Sequence, residues 1–369
     1  MNRGLGSPHM TSLARSILIV AGGTGGHIYP ALAVADHLKT HHVSAVWLGS
    51  EQGLETRIVP EAGIVLYKIA VSGLRGRGFW RWLMAPFALG LALVQALIAI
   101  MRIRPMLVLG MGGFASGPGG VAAWICRRPL VIHEQNAIPG LTNSVLSRIA
   151  TKVLQGFPGS FPNERQAITV GNPIRESIVS VSSPDDRLHE SDVFRILVIG
   201  GSRGAQALNL CVPRAIERMG VSNLEIWHQA GAGNDAATHQ AYGASTTSIR
   251  VSEFIDDMAT AYSWANLVIC RAGAITVGEL AAVGVASILV PFPYAVDDHQ
   301  SANASYLVDA NAALLIAEGP QFEQRLADAM QKFYDGQHDF MDFARRARAL
   351  AKPDAAALVA GQCMELLDV

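Results

Sequence analysis

The chain has 369 residues, of which 50% are hydrophobic and 16% charged, and its net charge is −1. This length favours two domains, and the composition excludes a disordered chain. Four cysteines stand far apart without a Cys-x-x-Cys pair, which excludes a zinc or redox motif of that kind and is typical of a reducing compartment. Residues 1–170 hold 15 Lys and Arg against 6 Asp and Glu, a net +9, and the remainder carries −10. The basic N-terminal half predicts an anionic partner surface.

The first motif is an apolar strand at 17–20, followed by four glycines around Thr24 and a helix predicted over 31–38. Glycines let a ligand approach the backbone, and the first turn of a helix directs unpaired N–H groups outward, so the expected ligand is anionic. His27 lies at this turn, and its ordinary pKa suits proton transfer near neutral pH. A turn used for packing alone is the alternative. The motif is not a dinucleotide fingerprint, because Ile28 stands where G-x-G-x-x-G needs Gly or Ala.

Strands are predicted over 43–49 and 64–69, and an apolar segment follows over 84–101. Pro86, Gly90 and Gln95 interrupt this segment, so we interpret it as a buried crossover helix with an exposed N-terminal end and not as a membrane span. Arginines and aromatic residues alternate around that end: Arg75, Arg77, Phe79, Trp80, Arg81, Trp82 and Phe87. They are typical of a lipid interface and predict docking on an anionic membrane instead of nucleic acid. A partly buried aromatic cluster with solvated arginines is the alternative.

A strand and a glycine loop recur over 106–120, and the next strand ends in four polar residues, His133, Glu134, Gln135 and Asn136. Open α/β sheets bind ligands beyond the carboxyl ends of their strands, so these side chains are candidates for a ligand site. Ordinary loop chemistry, with Asn136 capping a helix, is the alternative.

The segment 156–172 has the composition of a linker, and the charge changes sign near it, which places a domain boundary around residues 170–175. Arg175 then faces the cleft between two domains. Beyond the boundary, residues 194–206 repeat the opening order of strand, glycines and helix. The repetition predicts two Rossmann-like α/β units that face each other.

Further strands are predicted over 224–228, 248–251, 267–270 and 287–291, and the motif RAGAITVGEL follows the third of these. The N–H groups of Ile275, Thr276 and Val277 at a helix start suit a diphosphate, and the Thr276 hydroxyl adds a donor. Glu279, a turn further on, is placed to accept hydrogen bonds from a ribose diol. Fixed dipoles of this kind stabilise a leaving diphosphate without a metal. The alternative is Thr276 as an N-cap and Glu279 as a solvated helix residue.

Eight motifs in this order closely resemble the MurG family: AGGTGGH, SGLRGRG, GMGGFASGPGG, HEQNAIPGLTN, GNPIR, GGSRGAQALN, EFIDDM and CRAGAITVGEL. The family comprises N-acetylglucosaminyltransferases of peptidoglycan synthesis, which convert undecaprenyl-diphosphate N-acetylmuramyl-pentapeptide (lipid I) into the disaccharide intermediate lipid II. The resemblance covers nearly the whole chain from about Ile17. It implies a GT-B fold, in which two doubly wound Rossmann-like domains face across a cleft. We place the domains at 12–172 and 173–353, and expect a C-terminal helix, about 354–369, to pack back on the first.

The resemblance also implies the substrates and their contacts. UDP-N-acetylglucosamine would lie mainly on the second domain and the lipid acceptor on the first, with no cofactor or metal, at the cytoplasmic face of the inner membrane as a peripheral protein. The contacts implied are to the sugar or acceptor from Thr24, Gly25, Gly26 and Asn136, to the diphosphate from Arg175 and Ser202, to uracil from Ile255, to diphosphate and ribose from Ala274, Ile275, Thr276, Val277, Gly278 and Glu279, and to sugar hydroxyls from Gln300. Three positions depart from the family pattern: Phe114 replaces Tyr, Arg203 replaces Gln, and His299 replaces Gln.

We predict a single displacement with inversion, in which His27 removes the proton of the acceptor hydroxyl. Glu134 is the alternative base, and orientation of the acceptor diphosphate or helix capping is the alternative role of His27. Three other functions are considered. A dinucleotide oxidoreductase would use Glu51 at the ribose, a sugar-nucleotide epimerase of the same fold would leave the arginine and aromatic surface unexplained, and a non-enzymatic sugar-binding protein usually has a secretory signal.

Overall fold

A computed structural model describes residues 16–71, 79–188, 193–201, 204–243 and 248–367, with the main chain alone for 79–84 and 296. Within these ranges the chain forms two parallel sheets. The strands are β1 (Ser16–Val20), β2 (Ser44–Ser50), β3 (Val65–Ile69), β4 (Leu107–Gly110), β5 (Leu130–Glu134), β6 (Lys152–Gln155), β7 (Ile168–Thr169), β8 (Phe194–Ile199), β9 (Leu224–Gln229), β10 (Ser248–Ser252), β11 (Leu267–Cys270), β12 (Ala286–Leu289) and β13 (Ala313–Leu315).

Helices connect the strands and cover the faces of the sheets. They are α1 (Gly25–Thr40), α2 (Glu55–Glu61), α3 (Phe79–Ile103), α4 (Ser116–Ile125), α5 (Leu141–Leu146), α6 (Glu176–Val179), α7 (Pro184–Arg187), α8 (Gln206–Met219), α9 (Asp235–Ala241), α10 (Met258–Trp264), α11 (Ala274–Val283), α12 (His299–Val308), α13 (Phe322–Tyr334), α14 (Phe340–Ala349) and α15 (Ala355–Met364). Two short 3₁₀ turns lie at Asn163–Arg165 and Val296–Asp298.

The two sheets share one topology. The first has the order β3-β2-β1-β4-β5-β6-β7 and the second the order β10-β9-β8-β11-β12-β13. In each sheet the chain starts at a central strand, moves outward on one side and then crosses to the other, which is the doubly wound pattern. The central strands β1 and β11 are buried along their whole length, because parallel strands are covered by helices on both faces. The predicted pair of Rossmann-like units is confirmed.

Helix α1 begins earlier than predicted, at Gly25 instead of residue 31, and it contains Pro30. The early start places His27 inside the first turn of the helix. Packing of its inner face stabilises the helix, since Ile28, Val34 and Leu38 are fully buried there. Tertiary packing thus extends the helix through a stretch whose glycines and proline disfavour it locally.

Helix α3 differs from its prediction as a buried crossover helix, because only one of its faces is buried. The inner face consists of Ala92, Ala96, Ala99, Ile100 and Ile103, and the outer face exposes Phe87, Leu91, Val94, Ile98 and Met101. Gln95, which interrupts the apolar run, accepts a 2.7 Å hydrogen bond from the Ala70 N–H. The part from Ala85 to Ile103 has the length and hydropathy of a membrane-crossing helix, with 28% of it buried. A helix packed at the surface of a domain can have the same length and hydropathy, and α3 packs against α4.

The C-terminal helix α15 packs against α1 of the first domain. Val359, Ala360 and Cys363 are fully buried in the same core cluster as the inner face of α1. The Lys152 ammonium adds polar contacts, 3.0 Å to Gln362 Oε1 and 2.5 Å to Glu365 Oε2. The boundary between domains stays a prediction at 172/173, within the connection from β7 to β8.

Candidate active site

The carboxyl ends of β1, β4 and β5 bring three loops of the first domain together. Gly113 has φ +83°, and a Cβ on it would lie 2.1 Å from the Gly22 carbonyl oxygen. Gly112 has φ +94°, and a Cβ there would lie 2.5 Å from Cδ2 of His27. The loop after β4 therefore closes on the loop after β1 only because both positions are glycine. Phe114 follows them with its side chain 55% exposed.

His27 lies at the meeting point of these loops and is half-buried. Its Nδ1 is 3.2 Å from the hydroxyl of Thr24, which is itself exposed. Burial lowers the pKa of His27, while the charges of Glu134 and Glu55 and a hydrogen bond with the Gly22 backbone oppose that shift. The imidazole is therefore neutral near pH 7 and can accept a proton.

Glu134 is buried at the end of β5, and both of its carboxylate oxygens are engaged. Oε1 accepts from the backbone and side-chain N–H groups of Asn136 at 2.9 and 3.0 Å. Oε2 accepts from the Gly140 N–H at 3.1 Å and from Asn143 Nδ2 at 2.9 Å. The four bonds fold the segment between β5 and α5 around this carboxylate. They also fix the orientation of Asn136, a predicted contact with the sugar or acceptor.

In the second domain, α11 begins at Ala274 with Gly273 as its N-cap. The Val277 N–H donates to the Gly273 carbonyl at 2.9 Å, so the prediction that this group is free is wrong, because the helix starts one residue too early for it. Ile275 and Thr276 lie in the first turn, half-buried. Gly278 packs closely on the segment that enters the second domain, since a Cβ on it would lie 3.2 Å from Ile174 Cδ1.

Glu279 and Arg175 meet between the domains. Glu279 accepts a 2.9 Å hydrogen bond from the Tyr262 hydroxyl, and its Oε1 is 3.5 Å from Arg175 Nη2. The Arg175 guanidinium lies 5.1 Å from the ring centre of Tyr29, on α1 of the first domain. Burial raises the pKa of Glu279, opposed by Arg175 and by the Tyr262 hydrogen bond. The alternative of a solvated Glu279 is therefore wrong, because the side chain is only 11% exposed.

Asn303 was missed by the sequence analysis, although it joins the two domains. This residue of α12 is fully buried, and its Oδ1 accepts from the Ala137 N–H at 2.8 Å. Its Nδ2 lies 3.2 Å from the Ala272 carbonyl oxygen and 3.3 Å from Asn136 Oδ1. An asparagine inside a polar helix start gives no local signal, because its partners lie on distant loops.

The other predicted residues are placed as follows. Ile255 is 5% exposed and packs into the core of the second domain. Gln300 accepts from the Phe292 N–H at 2.9 Å, and the Ala274 carbonyl lies 3.4 Å from Asn172 Nδ2. Gly25 and Gly26 are in the first turn of α1. Ser202 and Arg203, the arginines at 75 and 77 and the side chains of 79–82 lie outside the described residues.

Models of two domain families match the chain, glycosyltransferase family 28 N-terminal domain over residues 17–155 and the C-terminal domain of the same family over 195–359. The chain belongs to glycosyltransferase family 28. Its members are glycosyltransferases, so the prediction of a sugar-transferring enzyme is confirmed. Both glycine loops of the duplicated fold fall within the matched ranges.

Two relatives of this family carry the name UDP-N-acetylglucosamine–N-acetylmuramyl-(pentapeptide) pyrophosphoryl-undecaprenol N-acetylglucosamine transferase. The protein from Nitrosococcus oceani is 50% identical over 96% of this chain and 99% of its own length. The one from Alkalilimnicola ehrlichii is 52% identical over 95% of this chain and 98% of its own length.

A crystal structure of MurG from Acinetobacter baumannii is 36% identical, with a TM-score of 0.79 over 95% of this chain and 99% of that one. The resemblance to the MurG family and its GT-B fold is thereby confirmed. A UDP-GlcNAc 2-epimerase from Neisseria meningitidis, solved with UDP-GlcNAc, has a TM-score of 0.67 at 10% identity over 95% of this chain and 100% of that one. That likeness concerns the fold alone.

Proposed function

We propose that this chain transfers N-acetylglucosamine from UDP-N-acetylglucosamine to undecaprenyl-diphosphate-linked N-acetylmuramyl-pentapeptide, converting lipid I into lipid II. The observation that supports this most strongly is the near-full-length identity of about half to relatives named for that reaction. An epimerase is not favoured, because the likeness to such enzymes is limited to the fold. An oxidoreductase is not favoured either, since the family is one of glycosyltransferases.

The reaction is a displacement at the anomeric carbon of the donor sugar. The acceptor hydroxyl forms a new C–O bond from the face opposite UDP, the bond to the diphosphate breaks, and UDP leaves with that electron pair. The hydroxyl proton passes to His27 in this proposal. A neutral imidazole is required for that step, and the lowered pKa of His27 supplies it at neutral pH.

Glu134 is the weaker candidate for the base. Its two oxygens accept four hydrogen bonds from its own loop, so a proton received from a substrate would have to replace one of them. We therefore propose that Glu134 shapes the loop that presents Asn136. His27, in contrast, contacts the exposed Thr24 and lies where the glycine loops of the first domain meet.

The donor diphosphate is proposed to lie at the start of α11, where the helix dipole and the N–H groups of the first turn favour negative charge. Ile275 and Thr276 would supply these groups, and Arg175 would supply a positive charge from the cleft. The pair of Arg175 and Glu279 is 3.5 Å apart in this structure. We propose that a bound UDP takes both groups as ligands, with the diphosphate on Arg175 and the ribose diol on Glu279.

A peripheral position on the cytoplasmic face of the inner membrane is proposed from the surface of the first domain. The outer face of α3 exposes apolar side chains, with Phe87 72% and Met101 60% accessible, and Trp124 on α4 is 58% exposed. An apolar face of this kind, within a domain of net positive charge, suits an interface of acyl chains and anionic head groups.

The experiment that tests the function measures transfer of labelled N-acetylglucosamine from its UDP conjugate to lipid I, in detergent with a chelator. We expect label in the lipid-soluble product. Binding of UDP-N-acetylglucosamine without transfer to lipid would leave the fold assignment intact and contradict the proposed acceptor.

A further inference from the structure

One buried carboxylate of the first domain has no part in the function described so far. Glu55, the first residue of α2, is fully buried in the described structure. Its Oε2 accepts from the Gly23 N–H at 2.9 Å, and its Oε1 accepts from the Ser50 N–H at 2.8 Å and from the Ser50 hydroxyl at 2.6 Å. A buried carboxylate is tolerated when it is hydrogen-bonded in this way.

Three glycines leave the space that this carboxylate fills. A Cβ on Gly22, Gly49 or Gly53 would lie 2.4, 2.7 or 1.9 Å from the nearest atom of the Glu55 side chain. None of the three has a positive φ, so the reason for glycine is room and not backbone conformation. The ends of β1 and β2 and the start of α2 are thus built around one side chain.

The carboxylate acts directly on the first glycine loop. Gly23 has φ +92°, and its N–H turns inward to Glu55 instead of outward to a ligand, so the N–H groups left for an anion are those of the first helical turn. The next residues, Thr24 and Gly25, lead into the helix turn that contains His27. The position of the imidazole therefore depends on a loop that Glu55 anchors.

The charge of Glu55 also reaches His27. Two carboxylates act on the imidazole, Glu55 from α2 and Glu134 from β5, and both oppose the effect of burial on its pKa. The Arg175 guanidinium of the facing domain lies over the ring of Tyr29, half a turn from His27 along α1. Loss of one of the two negative charges would leave the imidazolium less stabilised.

We propose that Glu55 is a positioning residue of the acceptor side, which anchors the loop of Gly23 and stabilises the imidazolium that forms when His27 receives the acceptor proton. The inference rests on the proposed function, since it assigns Glu55 a part in the same transfer step. It differs from a purely structural role in one respect: the charge of the side chain matters, and not only its volume.

The test compares the wild type with Glu55→Gln, Ser50→Ala and the control Glu61→Gln, an exposed carboxylate on the same helix. Transfer to lipid I is measured as kcat and as KM for each substrate over a range of pH, and UDP-N-acetylglucosamine binding is measured by calorimetry. For Glu55→Gln we expect kcat to fall by about 10- to 100-fold, as for a misplaced catalytic group. The acid limb of its kcat–pH profile should move to lower pH, with unchanged donor affinity.

Ser50→Ala removes one hydrogen bond and keeps the charge, so its kcat should fall less and its acid limb should stay in place. Glu61→Gln should match the wild type. A wild-type kcat and acid limb in Glu55→Gln would overturn the proposal, and so would a lower kcat with an unmoved acid limb, because that pattern indicates packing alone. If Glu55→Gln no longer binds the donor and has failed to fold, Ser50→Ala decides: a kcat equal to that of the wild type overturns the proposal. Failure of the wild type itself to transfer label concerns the proposed function instead.

Discussion

The two glycine loops occupy equivalent places in a duplicated fold, yet different chemistry lies beneath them. Below the first loop is the charged carboxylate of Glu55. Below the second, Asn209 donates to the Ala230 carbonyl at 2.9 Å, the carbonyl against which Gly204 packs. Asn209 in turn binds His228, whose other ring nitrogen lies 2.8 Å from the Tyr242 hydroxyl. A buried negative charge lies beneath the first loop, and a row of hydrogen-bonded polar groups lies beneath the second.

The polar groups beneath the second loop are uncharged. Burial lowers the pKa of His228 to about 3 and raises the pKa of Tyr242, so both are neutral at pH 7. A negative charge under a diphosphate would oppose its binding, whereas a negative charge near a base stabilises the protonated form of that base. The two domains therefore share one fold but differ in the buried side chains beneath their glycine loops. The carboxylate beneath the first loop suits proton transfer, and the neutral groups beneath the second suit an anionic donor.

The largest effect should come from the first loop. His27→Ala removes the proposed base, and kcat should fall by about 10²- to 10⁴-fold, the usual contribution of general base catalysis. Donor affinity should stay within twofold, roughly, because the donor is proposed to lie on the other domain. Activity and UDP-N-acetylglucosamine binding are measured together, with the exposed His239→Ala as control. An equal loss of turnover and donor affinity would contradict the role as base.

A matched pair of glycine variants separates the two loops. Gly113→Ala would place a Cβ 2.1 Å from the Gly22 carbonyl oxygen, and Gly204→Ala would place one 2.2 Å from the Ala230 carbonyl oxygen, both at positive φ. Each strains its own loop by more than about 1 kcal/mol. We expect Gly113→Ala to raise the KM for the lipid acceptor and Gly204→Ala to raise the KM for the donor. The same KM changes in both variants would mean that the loops do not divide the substrates.

The contact between the domains should have an intermediate effect. Asn303→Ala leaves the Ala137 N–H and the Ala272 carbonyl without their partner, and an unpaired buried group costs about 1–3 kcal/mol. We expect a lower unfolding temperature and a lower kcat/KM for the acceptor, since Asn136 also loses a contact. The exposed Asn223→Ala is the control. Wild-type kinetics in Asn303→Ala would show that the two loops are positioned without this link.

The smallest effect concerns pH and stability. His228 and His133 have pKa values of about 3 and about 4 in the folded chain, both lowered by burial. In the unfolded chain they take up protons below about pH 6.5. Their contribution to the free energy of unfolding is therefore complete above that pH and is lost as the pH falls. The loss is up to about 1.4 kcal/mol per pH unit for each histidine. Urea unfolding at pH 7.5 and 5.5 measures it, and His228→Gln should reduce the difference. A difference equal to that of the wild type would mean that His228 is not buried in its neutral form.

Much of the frame follows from the sequence alone. Short β-branched runs bounded by glycines locate strands such as β1 and β11 within a residue or so, because strand formation there depends on local pattern and on burial of both faces. The repeated order of strand, glycines and helix is enough to predict two similar domains. His27 is prominent in the sequence because it follows a strand and a glycine turn, and Glu134 because it lies in the polar group at the end of a strand.

Only the tertiary structure decided how these residues are used. The exposed face of α3 and the link through Asn303 depend on partners far along the chain, and the four hydrogen bonds of Glu134 depend on how its own loop folds back on the carboxylate. Glu55 is the clearest case, because in the sequence it is one glutamate after a turn, and its importance comes from Gly22, at the end of another strand, and from Gly49 and Gly53, which together leave it room. Local pattern therefore determined the strands, the loops and the family, while the burial of charge, which is a property of the packed molecule, determined that a carboxylate lies beneath the first glycine loop.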